Sequence, residues 1–238
     1  MMRVLKGDTI GIFTPSYPGN IILNEKYLRG VAFLSKYFKI VEGNQTISSI
    51  HQNYRVSSAS DRANEFMDLY KNSNIKMLIA TIGGSCTGSI LPFLDYDFIR
   101  HHPKLICGYS DITALHCAIN SICNMPTIYG PAVIPSFGEF PSPLKYTTKS
   151  FFELIGINTN KTKQEYVPPK KYSNHFIDAT QKDWKSIKRI YSKNKGWHPI
   201  RFGYTNSTTV AYNLNTLISL AGTKYFPDLN STLSDSQN

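Results

Sequence analysis

The amino-acid sequence predicts an α/β fold, a parallel sheet with helices on both faces, and three observations predict it. Short apolar runs at 8–16, 39–41, 75–82 and 105–107 have the character of strands buried on both faces. Segments with apolar residues at helical spacing lie between or after them, at 24–38, 60–70 and 112–122. Glycine and small polar residues stand where strands give way to the next segment, as at Gly83, Gly84, Gly108 and Ser110. Patterns that alternate in this way build parallel sheets, whose ligands sit at the carboxyl ends of the strands.

The run 8–16 reads as a first buried strand closed by a turn at Pro15 and Ser16. Residues 24–38 place Tyr27, Leu28, Val31, Leu34 and Phe38 on one helical face, and 39–41 is a short second strand. A polar connection at 42–58 leads into a helix at 60–70 with Ala63, Phe66, Met67 and Tyr70 on one side. The next strand, 75–82, runs into Gly83 and Gly84. A short helix around 89–93 and a segment at 95–99 precede the strand at 105–107. After the helix that follows it, 126–138 reads as a strand and then a loop punctuated by Pro131, Pro135 and Gly138, and 146–155 reads as a helix. Residues 158–195 are polar, lysine-rich and weakly periodic, 208–220 resume an apolar pattern, and 230–238 form a polar tail. The expected organisation is an α/β domain at 1–136, a linker or surface excursion at 137–200, and the start of an incomplete C-terminal domain at 201–238.

With 238 residues, of which 41% are hydrophobic and 13% aromatic, the chain has the composition of a globular protein with a substantial core. The first twelve residues lack the apolar centre of a signal peptide. No window approaches the ~18 uninterrupted apolar residues of a membrane span. A cytoplasmic protein is expected. Cys86, Cys107, Cys117 and Cys123 form no Cys-x-x-Cys pair and have no accompanying histidine spacing, so reduced, mostly buried thiols are expected rather than zinc or disulfides. No metal and no cofactor is expected. The formal net charge of +10 suits an anionic partner. Much of the lysine lies in the polar stretch at 161–195 without a nucleic-acid-binding motif, so a solvated surface is expected there.

Ser110 stands where the apolar run 105–107 stops and a helical pattern starts. One reading makes it the N-cap of that helix. The other makes it a nucleophile exposed on a sharp strand-to-helix turn, with backbone N–H groups at hand for an oxyanion; the second glycine usual in such elbows is Ile112 here. Gly83 and Gly84 carry the same two readings, a plain tight turn or a close backbone approach with free N–H groups. Trp184 and Trp197, aromatics in a polar stretch, either pack on their own domain or stack on a ligand.

Motifs along nearly the whole chain change the balance. They lie at 7–12, 57–62, 81–84, 91–97, 103–104, 108–115 (Gly-Tyr-Ser-Asp-Ile-Thr-Ala-Leu), 129–139 (Tyr-Gly-Pro-Ala-Val-Ile-Pro-Ser-Phe-Gly-Glu) and 213–217. In these the chain resembles the LD-carboxypeptidase family of serine peptidases, most closely its microcin C self-immunity branch. The resemblance implies a flavodoxin- or glutamine-amidotransferase-like N-terminal domain, a smaller C-terminal domain and a homodimer. It implies Ser110 as nucleophile, with the N–H groups of Asp111, Gly83 and Gly84 as oxyanion hole and Ser85, Tyr129 and Trp184 beside the substrate. Family members cleave an amide, of a murein tetrapeptide or, in the immunity branch, of a peptide-nucleotide antibiotic.

The glutamate and histidine that complete the family's triad fall past Asp228, in a segment without a counterpart in these 238 residues. His116 lies in the helix that follows Ser110 and is expected to project away from it; His175 and His198 belong to the linker side. Ser85 to Gly88 and Ala211-Tyr212 also depart from the family pattern. Two further readings stay open: a truncated, inactive relic or binding protein, and a flavodoxin-like nucleotide-binding module. The latter is opposed by the absence of a Gly-x-Gly-x-x-Gly or P-loop motif.

Overall fold

The computed structural model describes residues 2–157, 167–175, 177, 183–198, 200, 203 and 209–228. The expected tail at 230–238 and much of the stretch at 158–195 lie outside them. Strands β1 (Thr9–Phe13), β2 (Lys39–Glu42), β3 (Ile75–Ala80), β4 (Leu105–Gly108) and β5 (Ile128–Tyr129) form one sheet in the order β2-β1-β3-β4-β5, with every neighbouring pair parallel. Parallel neighbours need long crossovers. These are α1 (Gly19–Ile22) and α2 (Asn24–Leu34), then α3 (Ala59–Lys71), then α4 (Tyr96–His101), then α5 (Thr113–Cys123).

Side chains alternate across the sheet, which gives it two apolar faces. Along β3, Met77 and Ile79 join Ile10, Ile12 and Cys107 beneath Tyr27 and Leu34 of α2. Leu78 and Ala80 join Phe13 and Ile106 on the other face, beneath Phe66, Tyr70, Leu115 and Ile119. Helix α6 (Lys145–Ile155) adds Phe151, Phe152 and Ile155 to the first face, and the Val4 N–H donates to the Ile155 carbonyl at 2.9 Å. The packed body therefore continues beyond Ser136.

Local chemistry sets the element ends. Ser58 caps α3 by accepting the Asp61 N–H, and Asp95 caps α4 by accepting from Phe98. The strand expected from 126 is confined to Ile128 and Tyr129, between Pro126 and Pro131, which have no N–H for a ladder. The turn that follows, Val133–Phe137, is a single π-helical turn lying across α2. The region around 89–93 is a 3-10 helix, Thr87–Phe93, with Pro92 inside it.

Within the polar stretch, β6 (Lys171–Tyr172) and β7 (Ser192–Lys193) pair antiparallel, a feature without a sequence signal. Helix α7 (Leu214–Ser219) packs on α5, and the Asn213 N–H donates to Thr113 Oγ at 2.8 Å. Val210, Leu214 and Ile218 are exposed. The four cysteines are free, and three of them are buried. Among the described residues, no helix is long and apolar enough to cross a membrane, and no group of three potential metal ligands is found.

Candidate active site at the carboxyl edge of the sheet

From β1 the chain crosses outward to β2 and then returns to β3 on the other side of β1. Loops that leave strands on the two sides of such a switch point diverge and open a crevice. The segments after β1, β3 and β4 meet there. The Tyr17 N–H donates to the Gly83 carbonyl at 3.2 Å. Ser16 Oγ accepts the N–H groups of Ser85 and Cys86, both at 3.0 Å. Gly84 has φ +156°, and a Cβ there would lie 2.2 Å from Ser16 Oγ, so only glycine fits this turn.

Ser110 has φ 61°, in the left-handed region. A non-glycine residue is held there at a cost of about 1–3 kcal/mol, and such strain collects at functional turns. The Ser110 N–H donates to the Tyr129 hydroxyl at 3.2 Å. The Ser110 hydroxyl is half-buried, caps neither the 3-10 helix Ser110–Ile112 nor α5, and has no hydrogen-bond partner among the described residues. A Cβ on Gly83 would stand 3.2 Å from the Asp111 nitrogen and 3.3 Å from Ser110 Cβ. The two turns are therefore in close apposition. The N–H groups of Gly83, Gly84 and Asp111 make no hydrogen bond to a described residue. Free donors beside an unpaired hydroxyl on a strained turn are what stabilisation of a tetrahedral oxyanion requires.

The side chain of Asp111 has a role that the sequence reading did not foresee. Its buried carboxylate accepts the N–H groups of Cys86 and Thr87 at 3.0 and 2.9 Å and the Thr87 hydroxyl at 2.7 Å. It fastens the start of the Thr87–Phe93 helix to the turn that bears Ser110. Arg62, fully buried, donates to the carbonyls of Pro15 and Cys86, to those of Ser57 and Ser58, and to Ser89 Oγ. It thus ties three segments together behind the crevice. Glu65 takes the Thr14 and Thr46 N–H groups at 2.8 and 2.7 Å, and burial pushes its carboxyl up to about 7 against those hydrogen bonds. Apart from Ser57 and Ser58, these partners lie 19–51 residues away in sequence. Only the polar side chains beside the apolar helical face, Arg62 and Glu65, could have signalled them.

Ser85 is exposed on the turn, and Tyr129 holds the Ser110 N–H. Trp184 instead lies against α2 with 9% of its surface exposed, and the Lys26 ammonium sits 5.8 Å from its ring centroid. His116 makes no hydrogen bond to Ser110: its Nε2 meets the Gly108 carbonyl at 3.0 Å, its ring centroid lies 6.0 Å from that of Tyr129, and burial lowers its pKa to about 4. His175 Nδ1 accepts the Ile190 N–H. All six histidines lie among the described residues, and none is hydrogen-bonded to Ser110.

Residues 10–130 match the Peptidase_S66 family, the LD-carboxypeptidase N-terminal domain. The chain belongs to the LD-carboxypeptidase family. Among LD-carboxypeptidase relatives, the microcin C7 self-immunity protein MccF of Escherichia coli is 38% identical over 229 residues, spanning 94% of this chain and 64% of that protein. A putative carboxypeptidase of Vibrio cholerae is 35% identical over 94% of the chain and 65% of its own length. The chain thus spans slightly under two thirds of these relatives. The solved structure of MccF with aspartyl sulfamoyl adenosine superposes with a TM-score of 0.81 at 35% identity, over 96% of this chain and 68% of that one.

Proposed function

We propose that this chain is the nucleophile-bearing part of a serine amidohydrolase of LD-carboxypeptidase type, and that its substrate is a peptide-nucleotide amide of the kind microcin C self-immunity proteins handle. The observation that carries this reading is Ser110, strained at φ 61° with an unpaired hydroxyl against Gly83. In the proposed reaction Ser110 Oγ attacks the amide carbonyl carbon, and its proton passes to a general base and then to the leaving amine. The N–H of Asp111 and that of Gly83 or Gly84 take the charge that develops on the carbonyl oxygen. Water releases the acyl group by the reverse sequence.

Ser85 and Tyr129 line the approach, and Trp184 offers a stacking face to a nucleobase once Lys26 leaves its ring. The likeness to MccF, which has been solved with aspartyl sulfamoyl adenosine, favours a nucleotide-bearing substrate over a murein tetrapeptide. We place the protein in the cytoplasm as a homodimer, without cofactor or nucleic-acid partner. The test joins this chain to the C-terminal segment of MccF and assays a peptidyl-aminoacyl-adenylate analogue beside a murein tetrapeptide. Turnover of the first that vanishes in Ser110→Ala supports the reading. Equal turnover of both substrates moves the assignment to a murein carboxypeptidase, and turnover that survives Ser110→Ala rejects Ser110.

A further inference from the structure

In some serine hydrolases the backbone N–H of the nucleophile itself helps to hold the oxyanion. Here the Ser110 N–H is committed elsewhere, to the Tyr129 hydroxyl at 3.2 Å. Tyr129 has a rigid footing for that contact. On β5 it lies directly abreast of Gly108, with Ile128 abreast of Cys107. Beyond the ladder the Gly130 N–H donates to the Gly108 carbonyl at 3.0 Å, and the Cys107 thiol donates to the Pro131 carbonyl at 3.3 Å. His116 adds a further tie. A carbonyl only accepts, so the contact of 3.0 Å between His116 Nε2 and the Gly108 carbonyl is donated by the imidazole. The half-buried Tyr129 ring packs beside both neighbours of this strand end, 6.4 Å from Tyr109 in an edge-to-face arrangement and 6.0 Å from His116.

These ties fix the peptide plane that enters Ser110. The plane carries the Ser110 N–H, and the φ of Ser110 is the rotation that sets its Cβ relative to that plane. At φ 61° the rotation is unfavourable for serine and persists only where the surroundings over-determine it. On the far side of the residue the Asp111 carboxylate is held by the Cys86 and Thr87 N–H groups. Ser110 is thus strung between two anchors, one upstream at Tyr129 and one downstream at the turn after Gly84.

We propose that Tyr129 is a positioning residue for the nucleophile: its hydroxyl holds the Ser110 N–H, which keeps the serine in the left-handed conformation with its side chain against Gly83 and leaves the oxyanion to the N–H groups of Asp111 and the paired glycines. The assignment rests on the proposed nucleophile for its effect on rate, but the effect on the turn stands without turnover.

The experiment uses Tyr129→Phe, which keeps the ring and removes the hydroxyl. In the 238-residue chain, amide hydrogen exchange followed by NMR should accelerate at least about tenfold at Ser110, and by more there than at 113–123. An unchanged rate at Ser110, or one that rises only in step with 113–123, overturns the proposal, because a general loss of stability moves both together. In the protein joined to the C-terminal segment of MccF, kcat for the peptidyl-aminoacyl-adenylate analogue should fall about tenfold with KM unchanged. A rise in KM with kcat unchanged would make Tyr129 a substrate contact and also overturns it. Ser110→Ala in the joined protein is the control: turnover that survives there rejects the nucleophile, whereas the exchange rate at Ser110 still decides whether the Tyr129 hydroxyl holds the turn.

Discussion

Two buried ionisable side chains flank the candidate site, and their protonation pulls stability in opposite directions. Burial raises the Glu65 carboxyl from 4.5 to about 7, so between those values the folded chain holds a proton that the unfolded chain has lost. Its contribution is fully present below about pH 4.5 and disappears as pH rises through 7, a swing on the order of 3 kcal/mol. His116 behaves inversely. Burial lowers its pKa from 6.5 to about 4, so the unfolded chain binds the proton first and stability falls as pH drops through that window. We expect Glu65→Gln to remove the loss of stability between pH 4.5 and 7, and His116→Gln to remove the loss between pH 6.5 and 4. Urea unfolding of the three proteins across pH 4–8 measures both slopes; parallel curves for wild type and Glu65→Gln would show that the carboxylate stays ionised, held by the Thr14 and Thr46 N–H groups.

At the scale of elements, the strand-to-helix turn and the paired glycines were legible because each is local: an apolar run, a breaker, a helical pattern. The fastening between them was not. Asp111 reads in sequence as one more polar residue near a helix start, yet its carboxylate holds the first turn of the Thr87–Phe93 helix, 24 residues upstream. Arg62 and Glu65 likewise fall outside the apolar face of Ala63, Phe66, Met67 and Tyr70 that periodicity picks out, although both are buried. Helix α4 has six residues, too few to show a periodicity, while its cap Asp95 is a local signal. Removing the Asp111 carboxylate leaves the Thr87 N–H and hydroxyl buried and unpaired, while the Cys86 N–H keeps Ser16 Oγ as its acceptor. Asp111→Ala should therefore cost about 3 kcal/mol, with hydrogen exchange accelerating first at 86–93. Protection at 86–93 that matches wild type would mean that the helix stands without this carboxylate.

For the whole molecule, topology explains why the site could be located in sequence while its chemistry stayed incomplete. A 2-1-3-4-5 parallel sheet gathers the turns after β1, β3 and β4 at one edge, so glycines and a serine at strand ends converge whatever the details between them. A general base is not bound by that rule and can come from any element that reaches within about 3 Å of the hydroxyl. All six histidines can be followed: His116 faces Gly108, His175 Nδ1 takes the Ile190 N–H, His101 and His102 bond their own helix, and His51 and His198 are exposed without a hydrogen bond to Ser110. A triad acts as a unit, and what an oxyanion hole retains alone is on the order of 10³–10⁴ over water. We therefore expect the 238-residue chain by itself to hydrolyse a peptidyl-aminoacyl-adenylate analogue no faster than that residual rate, with its Ser110 hydroxyl protonated near neutral pH. Turnover at ordinary enzyme rates that is lost in Ser110→Ala would demand a base delivered from elsewhere. In that case mixing Ser110→Ala with His175→Ala or His198→Ala chains would decide whether a second copy supplies it, because only a shared site regains activity in the mixture.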